Sequence, residues 1–297
     1  MAVTANSPVR RGRGRRNQWQ VFLGALVKNK LALFGTTFLI IVLITMAAAP
    51  WLPIPSPTRI NLAATFQPPS ERHWLGTDEN GRDVFARLLA GGRVSIAVGF
   101  AAALLTVVIG SVLGVMAGYF GGLTDRVIMR FTDGLLAVPV FFLLLAVVAI
   151  WGSSITVLVV ALGFTRWMGP ARLIRGEILR FKTMEFTVAA RALGAGHVRL
   201  MAKHLLPQAM PALIVATSIG VGNVMLLEAG LSFLGLGISP PTPSWGNMLT
   251  ASQFYMWTAP HLAVYPGVMI LLTVMTFNTL GDVLRDALDP RLRSSGP

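Results

Sequence analysis

Leu31-Ala32-Leu33-Phe34-Gly35-Thr36-Thr37-Phe38-Leu39-Ile40-Ile41-Val42-Leu43-Ile44-Thr45-Met46-Ala47-Ala48-Ala49 carries no charge, and threonine hydroxyls are its only polar side chains. At about 1.5 Å per residue, an α-helix of this length extends about 28 Å. The hydrocarbon core of a bilayer is about 30 Å thick. Backbone N–H and C=O groups find no water there, and a helix satisfies them internally. Lys28 and Lys30 precede the stretch, and Pro50, Pro53, Pro55 and Pro57 follow it. It reads as a first membrane span. A cleaved leader ending near Met46-Ala47-Ala48-Ala49 is the alternative; the basic tail and the long apolar run favour a retained anchor.

The same test applied outward finds more spans. Val94 to Thr124 is free of charge, with a second span over Val94–Ala117 and a turn at Gly118-Tyr119-Phe120-Gly121-Gly122. Gly134 to Thr165 is free of charge over 32 residues, long for one crossing and short for two. Trp151-Gly152-Ser153-Ser154 suggests a tight hairpin between spans three and four, with span four running past Arg166 into a charged extension. His204 to Leu227 holds span five. Ala229 to Gly281 is free of charge over 53 residues and holds a neutral loop, then span six from about Ala263 to Gly281. The expected fold class is an all-α membrane protein with six transmembrane helices.

Composition agrees. Hydrophobic residues make up 54% of the 297-residue chain and charged residues 12%, about half of what a soluble domain carries. So little polar material cannot cover an apolar core in water. Disorder is excluded by the same hydrophobicity. Cysteine is absent, which removes disulfides, thiolate metal sites and thiol nucleophiles.

The formal net charge of +13 follows topology. Lys and Arg stay on the cytoplasmic side of a membrane. Arg10, Arg11, Arg13, Arg15, Arg16, Lys28 and Lys30 precede span one. Arg166, Arg172, Arg175, Arg180, Lys182, Arg191, Arg199 and Lys203 lie between spans four and five, and no cation lies between spans five and six. Both termini and the loops after spans two and four are therefore expected in the cytoplasm of a cell whose inner or plasma membrane holds the chain. Arg126, Arg130, Arg285, Arg291 and Arg293 agree. The loop after span one departs, with Arg59, Arg72, Arg82, Arg87 and Arg93 offset by Glu71, Asp78, Glu79 and Asp83. The basic tail reads as a disordered arm on anionic membrane lipid, and no nucleic-acid partner is expected. This divides the chain into a tail (1–27), a first helix and external loop (28–93), a core (94–284) and a C-terminal tail (285–297).

The loop between spans four and five, residues 180–207, is patterned. Phe181 to Leu193 favours one helix, stopped by Gly194 and Gly196. A second helix follows from Val198, and Pro207 suits the first turn of span five. Ala189, Ala190 and Ala192 make the first helix slim. A slim helix can dock in a groove of a soluble partner and take up its motion; resting on the bilayer surface is the alternative.

Val188-Ala189-Ala190, then Arg191 and two more residues, then Gly194, then twelve residues ending in Leu206, then Pro207 resembles the EAA loop of ABC importer permeases. In that family the loop forms the coupling helix seated on the ATP-binding subunit. The family's first position is usually Glu; here it is Val188, which removes an expected charged contact. Glu185 could stand in. His73-Trp74-Leu75-Gly76-Thr77-Asp78-Glu79-Asn80-Gly81-Arg82-Asp83-Val84-Phe85-Ala86-Arg87 resembles the segment between spans one and two in the dipeptide, oligopeptide and nickel branch. Ser239-Pro240-Pro241-Thr242-Pro243-Ser244-Trp245-Gly246-Asn247-Met248-Leu249 is similar to that branch's loop between spans five and six. Lys28-Asn29-Lys30 fits as well. The resemblance implies a type I ABC importer permease fold, with the chain as the second permease. Its implied partners are a homologous permease, two ATP-binding subunits and an extracytoplasmic binding protein. ATP and Mg would be bound by those partner subunits. The implied cargo is a dipeptide or oligopeptide; nickel or another small solute is the alternative.

Other residues carry weaker readings. Thr77 or Asp78 can cap a helix, with Glu79 in its first turn and Asp78 and Arg82 paired four apart. Leu75, Gly76, Thr77, Asp78, Gly81, Arg82 and Asp83 then brace the external entrance, or touch substrate or a binding protein. Glu228, beside a long apolar run, is either an interfacial anchor or a cavity or gate acid that attracts a peptide's amino terminus. Gly110, Gly114 and Gly118 have the spacing of a close helix contact. The histidines His73, His197, His204 and His261 lack ligand spacing, so no metal site is expected. No GxxxxGK[ST] occurs, and no nucleophile–base pair stands out, so the chain is not expected to be an enzyme. An ion-driven secondary transporter would need acids within the spans or paired broken helices, and the spans hold almost no acids.

Overall fold

The computed structural model describes residues 18–288. The basic residues Arg10 to Arg16, and Arg291 and Arg293 beyond the last helix, lie outside the described residues. α1 (Gln18–Lys28) and α2 (Lys30–Ala48) meet at Asn29. Its side-chain oxygen accepts the backbone N–H groups of Leu31 and Ala32, each at 3.1 Å, so α2 starts with a capped end where the hydrophobic run starts. α2 is span one.

α3 (Val84–Phe120) is 37 residues long, about 55 Å at the helical rise. The sequence places this span at Val94–Ala117, because Arg87 and Arg93 look like its boundary. The structure starts it ten residues earlier. Asp83 caps it by accepting the N–H of Ala86 at 2.7 Å. Arg87 reaches Asp78 at 3.3 Å, and Arg93 donates to the Met46 carbonyl on α2. Arg87 meets a counter-charge and Arg93 a hydrogen-bond acceptor, so neither ends the helix.

α4 (Gly122–Leu136) leads into α5 (Val140–Trp151) through an 85° bend at Pro139. The chain turns at Gly152-Ser153, and Ser154 caps α6 (Ile155–Arg166) through the Val157 N–H at 3.2 Å. α7 (Met168–Lys182) follows with a 41° bend. The hairpin lies where the sequence puts it. The two crossings do not fit inside Gly134–Thr165, however. α5 and α6 have 12 residues each, about 18 Å, too short to span alone. Each is completed by a bent neighbour, α4 for α5 and α7 for α6.

α8 (Glu185–Ala192) is a separate helix. The single helix expected over Phe181–Leu193 is broken at Thr183-Met184, where Met184 is extended. The Thr187 hydroxyl donates to the carbonyl of Phe181 at 2.8 Å across the break, taking an acceptor that a continuous helix would have used. α9 (His197–Arg199) continues through a π-helical stretch, Leu200–Leu205, into α10 (Leu206–Phe233). The second helix therefore runs directly into span five. Pro207 sits in the first turn of α10. The wider turns before it make room for a ring that lacks an N–H. α11 (Trp245–Ser252) lies in the neutral loop, and α12 (His261–Leu288) is span six.

Four helices are long and apolar enough to cross a bilayer, and with each bent pair taken as one span the crossings number six. Among the described residues, the only β pairing is an isolated bridge between Thr77 and Asp83. α3 is the central post, packed against α2, α6, α7 and α10. Its C-terminal half meets α7 along Gly110, Gly114 and Gly118. A Cβ on Gly114 would stand 2.9 Å from the Cβ of Ile174, and one on Gly118 would stand 2.8 Å from that of Ile178. Only glycine lets the two helices approach this closely.

Candidate transport site and coupling surface

At one end of the bundle, α8 projects from the ends of α7 and α10. Its C-terminus closes through paired backbone hydrogen bonds. Ala195 N–H donates to the Ala190 carbonyl at 3.1 Å and Gly194 N–H to that of Arg191 at 3.0 Å. This ending requires a left-handed residue, and Gly194 has φ 83°. The underside is anchored. Thr187 is buried, Ala190 packs on a core with Ile178 and Leu205, and Tyr119 OH hydrogen-bonds His197 Nδ1 at 2.7 Å. The outer face is bare: Val188 is 58% exposed and Leu193 89% exposed, and Ala189, Arg191 and Gly194 are also exposed. Leu206 is half-buried and Pro207 exposed at the foot of α10. The structure gathers Val188, Ala189, Ala190, Arg191 and Gly194 on this projection and leaves Leu206 and Pro207 at the start of α10. Leu193, the projection's most exposed apolar side chain, was not among the residues the sequence singled out; an apolar residue just before a helix-ending glycine was the available signal.

At the opposite end, Leu75 to Asp83 forms a tight loop rather than the start of a helix. Thr77 and Asp78 do not cap α3; Asp83 does. Thr77 is consumed by the loop itself, its hydroxyl accepting the N–H of Gln67 at 2.8 Å. Asp78 accepts the backbone N–H groups of Asn80 and Arg82 at 2.9 Å each. It pairs with the Arg82 side chain at 2.7 Å, and Arg82 also reaches Glu79 at 2.7 Å. Asp78 and Arg82 are paired as expected, in a loop and not along a helix. Asp83 also holds His73 at 2.9 Å. Asp78, Arg82, Asp83 and Arg87 are all nearly inaccessible. Gly76 and Gly81 are buried, and Leu75 is half-buried.

Glu228 lies on α10, 1% exposed. One oxygen accepts the Ser232 hydroxyl at 2.7 Å and the other that of Ser95 on α3 at 3.3 Å. Ser95 in turn accepts the N–H of Trp245 at 3.1 Å, and the Trp245 indole donates to the Leu88 carbonyl at 2.9 Å. Glu228 therefore joins α3, α10 and α11. Sequence reasoning missed Trp245 and Ser95, because their roles arise from partners over a hundred residues away.

A cavity of about 420 Å³ opens between α3, α5, α7 and α10. Its wall is mostly aliphatic, with Thr106, Thr165, Thr217 and Asn223 supplying polar atoms and Arg166 the only charge. Glu228 is not on this wall. A second hollow of similar volume, on the α5–α6 hairpin, is lined by Val147, Trp151, Val160 and Phe164 and carries no charge. On the α4 side of the first cavity, Arg175 grips Asp125 through both oxygens, and Arg172 pairs with Asp133. These pairs tie α4 to α7. Among the described residues no three His, Asp or Glu side chains group as metal ligands.

Up to six apolar crossings around a largely aliphatic cavity with a few polar groups, a braced loop at one end and an exposed helix at the other, define a membrane permease. The chain belongs to the binding-protein-dependent transport system inner membrane component family, the permease subunits of ABC importers, which it matches over residues 110–294. Residues 17–69 match the N-terminal transmembrane domain of oligopeptide transport permease C. The chain is 40% identical to the glutathione transport system permease protein GsiD of Pectobacterium atrosepticum, over 99% of this chain and 98% of that one. It is 38% identical to the nickel transport system permease protein NikC of Escherichia coli, over 93% and 96%. It is 37% identical to the oligopeptide transport system permease protein OppC of Bacillus subtilis, over 93% and 90%. Among solved structures, the inward-facing MetNI methionine ABC transporter superposes with a TM-score of 0.57 at 20% identity, over 68% of this chain and 97% of that one. The fold is therefore that of type I importer permeases, and the chain falls in their peptide, nickel and glutathione branch.

Proposed function

We propose that the chain forms half of the translocation path of an importer for dipeptides or oligopeptides, and that α8 couples it to an ATP-binding subunit. The supporting observation is the construction of α8. It is anchored underneath by Thr187 and Ala190 and bare on top at Val188 and Leu193. A helix held on one side and apolar on the other passes on the motion of whatever seats it. α7 and α10 leave its two ends, so displacement of α8 moves both walls of the cavity. Val188, in place of the Glu usual in the resembled loop, makes this contact one of shape. The α8 end and both termini then face the cytoplasm. ATP and Mg stay with the partner subunits, and this chain is a transport component with no catalytic role.

The loop from Leu75 to Asp83 spends its charges on itself, which supports a bracing role on the outer side, where a substrate-binding protein delivers cargo. Glu228 acts as a strut, because its oxygens are engaged by Ser95 and Ser232. A homologous second permease completes the path.

The test is purification of the tagged chain from its native operon in mild detergent. Mass spectrometry identifies what comes with it, and ATPase activity is measured with and without peptide and binding protein. A second permease and P-loop ATPases with peptide-stimulated hydrolysis are expected. Recovery of the chain alone, or stimulation by nickel and not by peptide, overturns the reading.

A further inference from the structure

Arg166 is a half-buried cation of the bundle with no counter-charge among the described residues. It closes α6, 12 residues from the outer hairpin, about 18 Å along the helix. It is half-buried and makes no hydrogen bond or ion pair among the described residues. Its neighbours along the chain differ: Arg172 and Arg175 are matched to Asp133 and Asp125, and at the outer loop Arg82 and Arg87 are matched to Asp78. A charge within a membrane span is costly and marks a pathway unless it is paired. The cavity gives this one its setting. Arg166 is the single charge on a wall of about 420 Å³, within the range that accepts small ligands. Asn223 and Thr217 face the cavity from α10, Thr106 from α3 and Thr165 from the turn before Arg166.

We propose that Arg166 receives the terminal carboxylate of a peptide substrate in this cavity, with Asn223 and Thr217 taking the neighbouring polar atoms; the inference rests on the peptide-importer reading. A guanidinium is a planar fork that matches a carboxylate in two parallel hydrogen bonds. The aliphatic remainder of the wall suits side chains of varied size, so the carboxylate is the feature common to all cargo that the wall can recognise. A bare divalent cation meets like charge here and is disfavoured.

The test uses the assembled importer with all its subunits in proteoliposomes. Uptake of a tripeptide is compared with uptake of its C-terminal amide, in wild type and in Arg166→Gln. Equilibrium dialysis of both peptides against the nucleotide-free complex reads the same preference without the binding protein. Wild type is expected to favour the free acid about 10-fold or more, and Arg166→Gln to bring acid and amide to parity with ATPase assembly unchanged. Parity in wild-type dialysis overturns the inference, and this readout stands even if Arg166→Gln fails to assemble. Equal loss for both peptides in Arg166→Gln, with the preference intact, also overturns it. A wild-type complex that neither binds nor moves either peptide overturns the peptide reading, and this inference with it.

Discussion

The Ser95 hydroxyl on α3 donates to the Glu228 carboxylate on α10 at 3.3 Å while accepting the backbone N–H of Trp245 at 3.1 Å. One hydroxyl thus joins two membrane-spanning helices and α11, the helix between spans five and six. Replacing Glu228 with Ala leaves the Ser95 and Ser232 hydroxyls unsatisfied in a buried place, at about 1–3 kcal/mol. Glu228→Gln keeps an acceptor for one of them. Thermal unfolding of the purified complex is expected to fall clearly for Glu228→Ala and much less for Glu228→Gln. Equal melting of the two variants speaks against the strut.

The loop from Leu75 to Asp83 should be less forgiving. Asp78 faces both Arg82 and Arg87 in a nearly inaccessible place. Asp78→Asn leaves two buried guanidiniums without their shared counter-charge, and breaking a buried pair costs about 3–5 kcal/mol. Membrane levels of the Asp78→Asn chain are expected to drop sharply, and those of Glu79→Gln little. A normal level of the Asp78 variant would show the loop to be dispensable.

Helix approach gives a third expectation. Gly114→Val places a branched side chain where Ala171 and Ile174 of α7 already sit, and overpacking costs about 1–3 kcal/mol. Gly134→Ala, at a position where an added Cβ meets nothing, serves as the control. Fluorescence-detected size exclusion after heating should separate the two; matching profiles count against the close contact of α3 and α7.

For coupling, Gly194→Asp sets a charge at the tip of the α8 projection, where an added Cβ meets nothing within this chain; any side chain is strained at φ 83°, so Gly194→Asn, with the same strain and no charge, is the control. Insertion and folding are expected to persist. Peptide uptake should fall about 10-fold or more relative to ATP hydrolysed, as for loss of about 1.4 kcal/mol or more of coupling. Reconstituted transport and phosphate release measured on the same vesicles decide this. An unchanged ratio removes α8 from the coupling path.

Much of this was legible in the sequence, for a definite reason. Whether a segment crosses a bilayer depends on its own composition and length, so the charge-free runs give span one, the hairpin after Trp151 and span six. The loop that turns at Gly194 was legible too, because a helix end needs a left-handed residue at a fixed place. The errors lie where charges look like boundaries. Arg87 and Arg93 appear to end span two, yet α3 runs through them, because Asp78 and the Met46 carbonyl meet them. Thr77 and Asp78 look like caps, and Asp83 caps instead.

What the sequence determined by itself is therefore the class of molecule: an all-helical membrane chain whose crossings follow from local hydrophobicity against a bilayer of fixed thickness. What only the tertiary structure decided is which faces meet. In lipid the outside of a helix is as apolar as its inside, so periodicity does not mark the buried side. Nothing along the chain announces that Glu228 is enclosed by Ser95 and Ser232, that glycines seat α3 on α7, or that Arg166 stands unpaired on a cavity wall while Arg172 and Arg175 find their acids. Those facts are set by distances between segments remote in sequence, and they come into being only when the helices pack.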